Sequence, residues 1–183
     1  MIGIIGAMSL EIEHIKAHME NIKEEKISGI PFTTGTLYGK DLVVAVCGIG
    51  KVFAAICAQT MILKYSPEII INTGVAGTLT NKLGILDIAI GKDVVQYDID
   101  TTALGDPKGL ISGINVVKIP ASAVLAEKTE RICTECGIKS HSGTIASGDR
   151  FLHDRDEKES LADEFSAVAC EMEGGAIAQV CYV

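Results

Sequence analysis

Short apolar runs and segments with helical periodicity take turns along this chain, and that alternation restricts the fold more than any other feature. Residues 2–6 read as a buried strand. Ile12, Ile15, Met19 and Ile22 then recur at helical spacing, with polar residues between them. Residues 30–38 and 42–46 read as two strands joined tightly through Gly39-Lys40. The spacing predicts a helix over 51–64 with Val52, Ala55, Ile56 and Ile62 inward. Residues 68–72 read as a central strand, apolar on both faces. A further strand is predicted over 85–95, bulged near Gly91. Strands at 114–119, 144–147 and 167–170 then alternate with helices at 122–136, at 157–164 and after Glu173. No repeat, low-complexity stretch or linker interrupts the series. The expectation is a single α/β domain over residues 1–183, built on a mixed, largely parallel sheet with helices on both faces. In such folds ligands gather at the carboxyl ends of strands.

Composition narrows the function classes. Apolar residues make up 48 % of the chain, enough for a full core. The net charge is −8 with no basic cluster, which argues against nucleic acid and anionic membranes as partners. Aromatics are 4 % and Trp is absent, so base-stacking platforms are not expected. No apolar stretch is long enough to span a bilayer, and the first residues lack the basic head and cleavage site of a secretion signal, so a cytoplasmic protein is expected. Most of the six cysteines sit inside apolar runs, as reduced packing residues do. Cys133 and Cys136 have CxxC spacing, but no second ligand pair follows, so no metal is expected and helix packing explains them.

Three glycine clusters follow strands. Gly3-Ile4-Ile5-Gly6 lacks the spacing a dinucleotide pyrophosphate requires. Gly48-Ile49-Gly50-Lys51-Val52 imitates a phosphate loop, but Ala45 stands for its first glycine and Val52 for its metal-binding hydroxyl. No cofactor is therefore expected. Asn72-Thr73-Gly74-Val75-Ala76-Gly77 reads either as a tight turn or as backbone that approaches a ligand. Glu11 follows the first strand, in the first helical turn, where an acid suits the helix dipole or a functional role. His14 and His18 are four apart on that helix and read as solvent-facing. Phe151, in Ser147-Gly148-Asp149-Arg150-Phe151-Leu152, reads either as a cover for the sheet end or as a stacking surface for a flat ligand. Glu171 and Glu173 sit where the last strand passes into the last helix. One of them is expected to face a site and the other to make a surface or structural bond. Glu173, nearer the helix start, is the site-facing choice. Its carboxylate suits bidentate recognition of a diol such as the 2′ and 3′ hydroxyls of ribose. Residues 97–113 form a long loop rich in Asp, Gly and Thr, expected to serve function or an interface.

Taken in order, Gly3-Ile4-Ile5-Gly6-Ala7-Met8 with Glu11, Gly48-Ile49-Gly50-Lys51, Asn72-Thr73-Gly74-Val75-Ala76-Gly77, Ser147-Gly148-Asp149-Arg150-Phe151-Leu152 and Glu171-Met172-Glu173 resemble the 5′-methylthioadenosine/S-adenosylhomocysteine nucleosidase family of the purine and uridine phosphorylase superfamily. The resemblance spans essentially the whole chain. It implies an α/β three-layer sandwich around a mixed, partly barrelled sheet. It implies hydrolysis of the N-glycosidic bond of methylthioadenosine and adenosylhomocysteine, with release of adenine. Under it, Glu11 holds and activates the attacking water, and Glu173 binds the ribose hydroxyls beside Met172, with Glu171 in the same substrate-binding set. Phe151 stacks on adenine and the Leu152 backbone reads the purine edge. Ala76 and Gly77 line the purine and ribose pocket, and Met8 and Ile49 pack near the ribose and the sulfur-bearing tail. It also implies a homodimer in which Thr101 and Leu104 of the second subunit close the tail pocket.

The resemblance brings one further expectation. The helix begun near Glu173 reaches Val183 with no Gly or Asn cap, no closing Lys or Arg and no following strand. The family's general acid, an aspartate at the end of the next strand, would follow Val183. The expectation is a fold lacking its last strand and helix, with weak or no turnover. Two alternatives accompany this reading: a related nucleoside hydrolase or phosphorylase, such as a futalosine hydrolase, and a non-catalytic nucleoside-binding fragment. A phosphorylase would need anion contacts in the N-terminal loop, and residues 4–10 hold no Arg.

Overall fold

A computed structural model describes residues 1–183. The chain forms two compact units, Met1–Val75 and Ala76–Val183, and each carries its own five-stranded mixed sheet. The α/β architecture expected from the alternation is present, with neither sheet closed into a barrel.

In the first unit the order along the chain is β1 (Ile2–Gly6), α1 (Ser9–Ala17), β2 (Glu20–Ile27), β3 (Ile30–Leu37), β4 (Lys40–Val46), α2 (Lys51–Tyr65) and β5 (Ile69–Asn72). The sheet order is β2-β3-β4-β1-β5. β1 runs parallel to both neighbours, with Ile4 opposite Val44 and Ile71, while β3 is antiparallel to β2 and β4. One face is filled by Ile4, Ile12, Met19, Leu42 and Val44. Complete burial of a side chain such as Ile12 contributes about 1.5–3 kcal/mol. Gly3 faces α2: a Cβ there would lie 2.5 Å from Met61 Sδ, so the missing side chain sets how closely that helix seats.

Three expectations are corrected here. α1 ends at Ala17, and the helical series does not run on to Ile22, which lies in β2 and is largely exposed. α2 turns Ala54, Cys57, Ala58 and Met61 inward, whereas Val52 is 70 % and Ile56 40 % exposed. β5 is an edge strand of its sheet, hydrogen-bonded to β1 alone, and Ile71 and Asn72 are exposed.

The second unit runs β6 (Gly77–Thr78), β7 (Ile88–Gln96), a 3-10 turn at Thr102–Leu104, β8 (Lys118–Pro120), α3 (Ala123–Glu135), β9 (Ser140–Ser147), α4 (Arg155–Phe165), β10 (Ala167–Glu171) and α5 (Gly174–Tyr182). Its sheet order is β6-β10-β9-β7-β8. The three inner strands are parallel, and the short outer strands antiparallel. The expected irregularity in β7 is a register shift between Gly91 and Asp93. Val95, Tyr97, Ala146, Leu152, Leu161, Phe165, Ala167 and Cys170 make one apolar cluster of this unit. Ser122 and Asp154 cap α3 and α4 through their side chains, each accepting from the backbone N–H three residues on. No helix is long and apolar enough to cross a membrane.

Candidate functional site

Glu11 is the best-held acid of the first unit. Its Oε2 accepts from the backbone N–H of Ala7 at 2.8 Å and of Met8 at 3.0 Å, and Oε1 accepts from Val75 N–H at 3.0 Å. Met8 is the N-cap of α1, so two of these donors belong to the start of that helix. The third comes from the loop after β5 and ties the carboxylate to the carboxyl end of a second parallel strand. Gly74 makes this contact sterically possible: a Cβ there would sit 2.6 Å from Glu11 Oε1. The first of the two glycines in the Asn72–Gly77 run is thus explained by a close approach to the acid. A carboxylate offers about four lone-pair positions, so three backbone donors leave one for a further proton donor. Met8 is 40 % and Ile49 57 % exposed. His14 and His18 are exposed, and the His18 ring contacts the His14 carbonyl at 2.8 Å, a local helix contact with no third ligand.

In the second unit the polar groups gather where α5 begins. Glu173 is its N-cap residue and is 9 % exposed. Its own carboxylate does not cap the helix. That work falls to Glu171, whose Oε2 accepts from the N–H of Glu173 at 2.8 Å and of Gly174 at 2.6 Å. Of the two carboxylates, Glu171 makes a structural bond at the helix start. Ser147 at the end of β9 accepts from Gly175 N–H at 2.9 Å. Gln96 at the end of β7 donates to the Gly175 carbonyl at 3.3 Å and to Gln179 Oε1 at 2.7 Å. A Cβ on Gly175 would meet Gln96 Cγ at 2.6 Å and Ser147 Cβ at 2.8 Å.

The loop after β9 is braced against its neighbours. Gly148 N–H donates to the Glu171 carbonyl at 3.1 Å, Asp149 N–H to Asp98 at 2.9 Å, and Arg150 Nη2 donates to both carboxylate oxygens of Glu157. The bracing presents Phe151 outward, 83 % exposed, while Leu152 turns into the core. Ala76 and Gly77 open this unit. Gly77 pairs with Cys170 in the sheet, and a Cβ on it would press on Cys170 Sγ at 3.0 Å. Met172 is half-buried beside Glu173. Thr101 and Leu104 lie on the long loop: Thr101 Oγ1 bonds Asp106, and Leu104 is 82 % exposed.

Sequence reasoning missed Gln96, Gln179 and the holding role of Gly74 and Val75. The only signal for Gln96 was a polar residue closing an apolar strand, and Ser147 shared that signal without being singled out.

The chain is similar to known proteins over its whole length. The family described as the phosphorylase superfamily matches residues 1–183. A 5′-methylthioadenosine/S-adenosylhomocysteine nucleosidase of Shewanella halifaxensis is 41 % identical over 182 residues, covering 99 % of this chain and 79 % of that protein. The crystal structure of a Helicobacter pylori nucleosidase variant with 5′-methylthioadenosine in its active site superposes with a TM-score of 0.94 at 37 % identity, covering 99 % of this chain and 78 % of that one. The Neisseria meningitidis nucleosidase in complex with methylthio-immucillin-A has a TM-score of 0.94 at 36 % identity, covering 99 % and 79 %. The native futalosine hydrolase of Helicobacter pylori has a TM-score of 0.93 at 36 % identity, covering 99 % and 78 %. Sequence kinship along the full chain and a shared fold agree with the motif resemblance: the chain belongs to the 5′-methylthioadenosine/S-adenosylhomocysteine nucleosidase family of the phosphorylase superfamily.

Proposed function

We propose that residues 1–183 act as one nucleosidase domain that hydrolyses the N-glycosidic bond of 5′-methylthioadenosine and S-adenosylhomocysteine and releases adenine. The observation that carries this reading is the Glu11 carboxylate, held by three backbone N–H groups with acceptor capacity to spare. Cleaving a nucleoside C–N bond builds positive charge on the ribose and negative charge on the purine. Glu11 orients water and takes its proton as the ribose cation forms. Glu173 accepts from the ribose hydroxyls, Phe151 stacks on the purine and the Leu152 backbone reads its edge. Met172, Ala76 and Gly77 line the purine and ribose, and Met8 and Ile49 pack on the ribose and the tail. Glu171 serves through the helix start, where its carboxylate is engaged. Adenine takes up a proton from solvent water as it leaves, which balances the proton that Glu11 removes from the attacking water and later returns to solvent. The protein works in the cytoplasm as a homodimer, with Thr101 and Leu104 of the second subunit over the sulfur-bearing tail.

The same carboxylate favours hydrolysis over phosphorolysis. A helix N-terminus at the end of a strand is where a phosphate would settle, and here Glu11 already occupies the Ala7 and Met8 N–H groups. Futalosine hydrolysis is the second reading, favoured by the Helicobacter pylori neighbour and by identical bond chemistry.

The test is calorimetric binding of methylthioadenosine, adenosylhomocysteine and futalosine, with chromatographic measurement of released base, with and without phosphate. Glu11→Gln is expected to keep binding and to lose turnover on the order of 10²–10⁴-fold. Undiminished release by that variant, or release that requires phosphate, defeats the reading. Preference for futalosine transfers it to the second.

A further inference from the structure

Gln96, Ser147 and Glu171 stand in one row across the second sheet: Ser147 is the register partner of Gln96 on one side and of Glu171 on the other. Each is the last residue of a parallel strand. Each sends its side chain to the first turn of α5. Glu171 accepts from the N–H of Glu173 and Gly174, Ser147 accepts from the N–H of Gly175, and the Gln96 side-chain amide donates a hydrogen bond to the Gly175 carbonyl. Gln179, one turn further along α5, accepts the Gln96 amide as well. Ser147 is fully buried and Gln96 is 4 % exposed, so these bonds form away from water, where leaving a partner unmade is costly. Gly175 has no room for a side chain between Gln96 and Ser147.

Ordinary capping needs one side chain at a helix start. Here three adjacent strands each send a side chain to this turn: Glu171 holds the N–H of Glu173 itself, and Ser147 and Gln96 grip Gly175 two residues on, so Glu173, with its backbone at φ −130°, ψ −39°, is tied in from both sides. We propose that Gln96, Ser147 and Glu171 are positioning residues that set the Glu173 carboxylate for the paired hydroxyls of a ribose. The proposal rests on the ribose-binding role given to Glu173 above. Bidentate acceptance from a diol tolerates little displacement, and a row of bonds to the helix start holds the backbone that carries the acid. The row should therefore govern discrimination between ribose and deoxyribose more than overall affinity for the purine.

The experiment measures dissociation constants of methylthioadenosine and of its 2′-deoxy counterpart by titration calorimetry, with melting temperatures as the check on folding. The unaltered chain is expected to prefer the ribose form by about 10–100-fold, the worth of a charge-assisted hydrogen bond. Glu173→Gln lowers that preference. Ser147→Ala and Gln179→Leu lower it to within about threefold while the deoxy form still binds, and Gln179→Glu, which keeps the acceptor, restores it. Gln179 is half-buried, so its variants decide the matter if Ser147→Ala does not fold. Folded Ser147→Ala or Gln179→Leu protein with full ribose preference overturns the proposal and leaves the role of Glu173 standing. No ribose preference in the unaltered chain, or none lost in Glu173→Gln, overturns the role of Glu173 and the positioning proposal with it.

Discussion

Both oxygens of the Glu11 carboxylate are engaged by backbone N–H groups, and Gly74 is the residue that lets them be. Replacing Gly74 by Ala places a Cβ 2.6 Å from Oε1 and 2.8 Å from Cδ, so the acid must move while its three donors stay. Gly74→Ala is expected to lower base release on the order of 10²-fold, the cost of misplacing a reacting group by about an ångström. Nucleoside affinity is expected to change far less. Titration calorimetry alongside a rate assay checks this, and equal losses in both would remove Glu11 from the chemistry. At this scale the sequence was half legible. Glu11 read either as a helix-start acid or as a functional one, and its bonds to Ala7 and Met8 show that the first description is true without excluding the second. The Val75 bond was illegible, because its partners are 64 residues apart and meet only through the pairing of β1 with β5.

Cys57 gives a pH-dependent prediction at the same scale. Burial, and then the nearby Cys47, push its thiol from 9.0 up to about 12. The folded state thus keeps a proton that the unfolded chain releases near its ordinary value. The stabilisation is complete below pH 9.0 and is lost as pH climbs toward 12. Tyr97, pushed up to about 12 chiefly by burial, acts in the same direction. Melting temperature should fall steadily across this alkaline window, and Cys57→Ala should fall less steeply from a lower start. Parallel slopes for the two proteins would mean that Cys57 is not the titrating group.

Among the elements, those whose pattern reports burial were readable and those at edges were not. α3 was placed within a residue at each end, and Ser122 marks its start as a capping residue. β2 was missed. Its sequence, Glu-Asn-Ile-Lys-Glu-Glu-Lys-Ile, favours helix by propensity, and nearly all of it is exposed. It forms a strand because β3 offers an edge to pair with. Its charges then find partners in Lys16, Lys64 and Tyr65, and they also blunt that edge against other chains. The inward face of α2 was misjudged because Val52 and Ile56 are as apolar as Cys57 and Met61, so periodicity could not choose between them. Caps, in contrast, carry a local signal with a known energy. Asp154→Ala removes the acceptor for Glu157 N–H at the start of α4. It is expected to cost about 1 kcal/mol and to lower the melting temperature by about 2–4 °C, with Asp154→Asn close to neutral. A scan showing the Asn variant as damaged as the Ala variant would mean that charge, not the cap bond, is what Asp154 supplies.

For the molecule as a whole, the proposed dimer makes a claim that no single-subunit measurement can reach. Two copies of a chain with net charge −8 repel, so association has to rest on apolar contact, and the loop that holds Thr101 presents Leu104 with 82 % of its surface open. If that loop serves the site of the other subunit, two differently damaged chains can repair each other. Glu173→Ala spoils a chain's own ribose contact, and Leu104→Arg spoils what the chain lends to its partner. Each variant alone is expected to bind methylthioadenosine poorly. Mixed in equal amounts and allowed to exchange, half of the twofold dimers combine one chain of each kind, and each of these holds one intact site. Binding should therefore recover to about a quarter of the unaltered capacity by random assortment. Calorimetric stoichiometry after exchange reads this directly, with sedimentation velocity to establish that dimers are present. Recovery near a quarter places Leu104 at the neighbour's substrate. Dimers that exchange without any recovery place it at the site of its own chain, and a monomer at binding concentrations removes the partner subunit from the description.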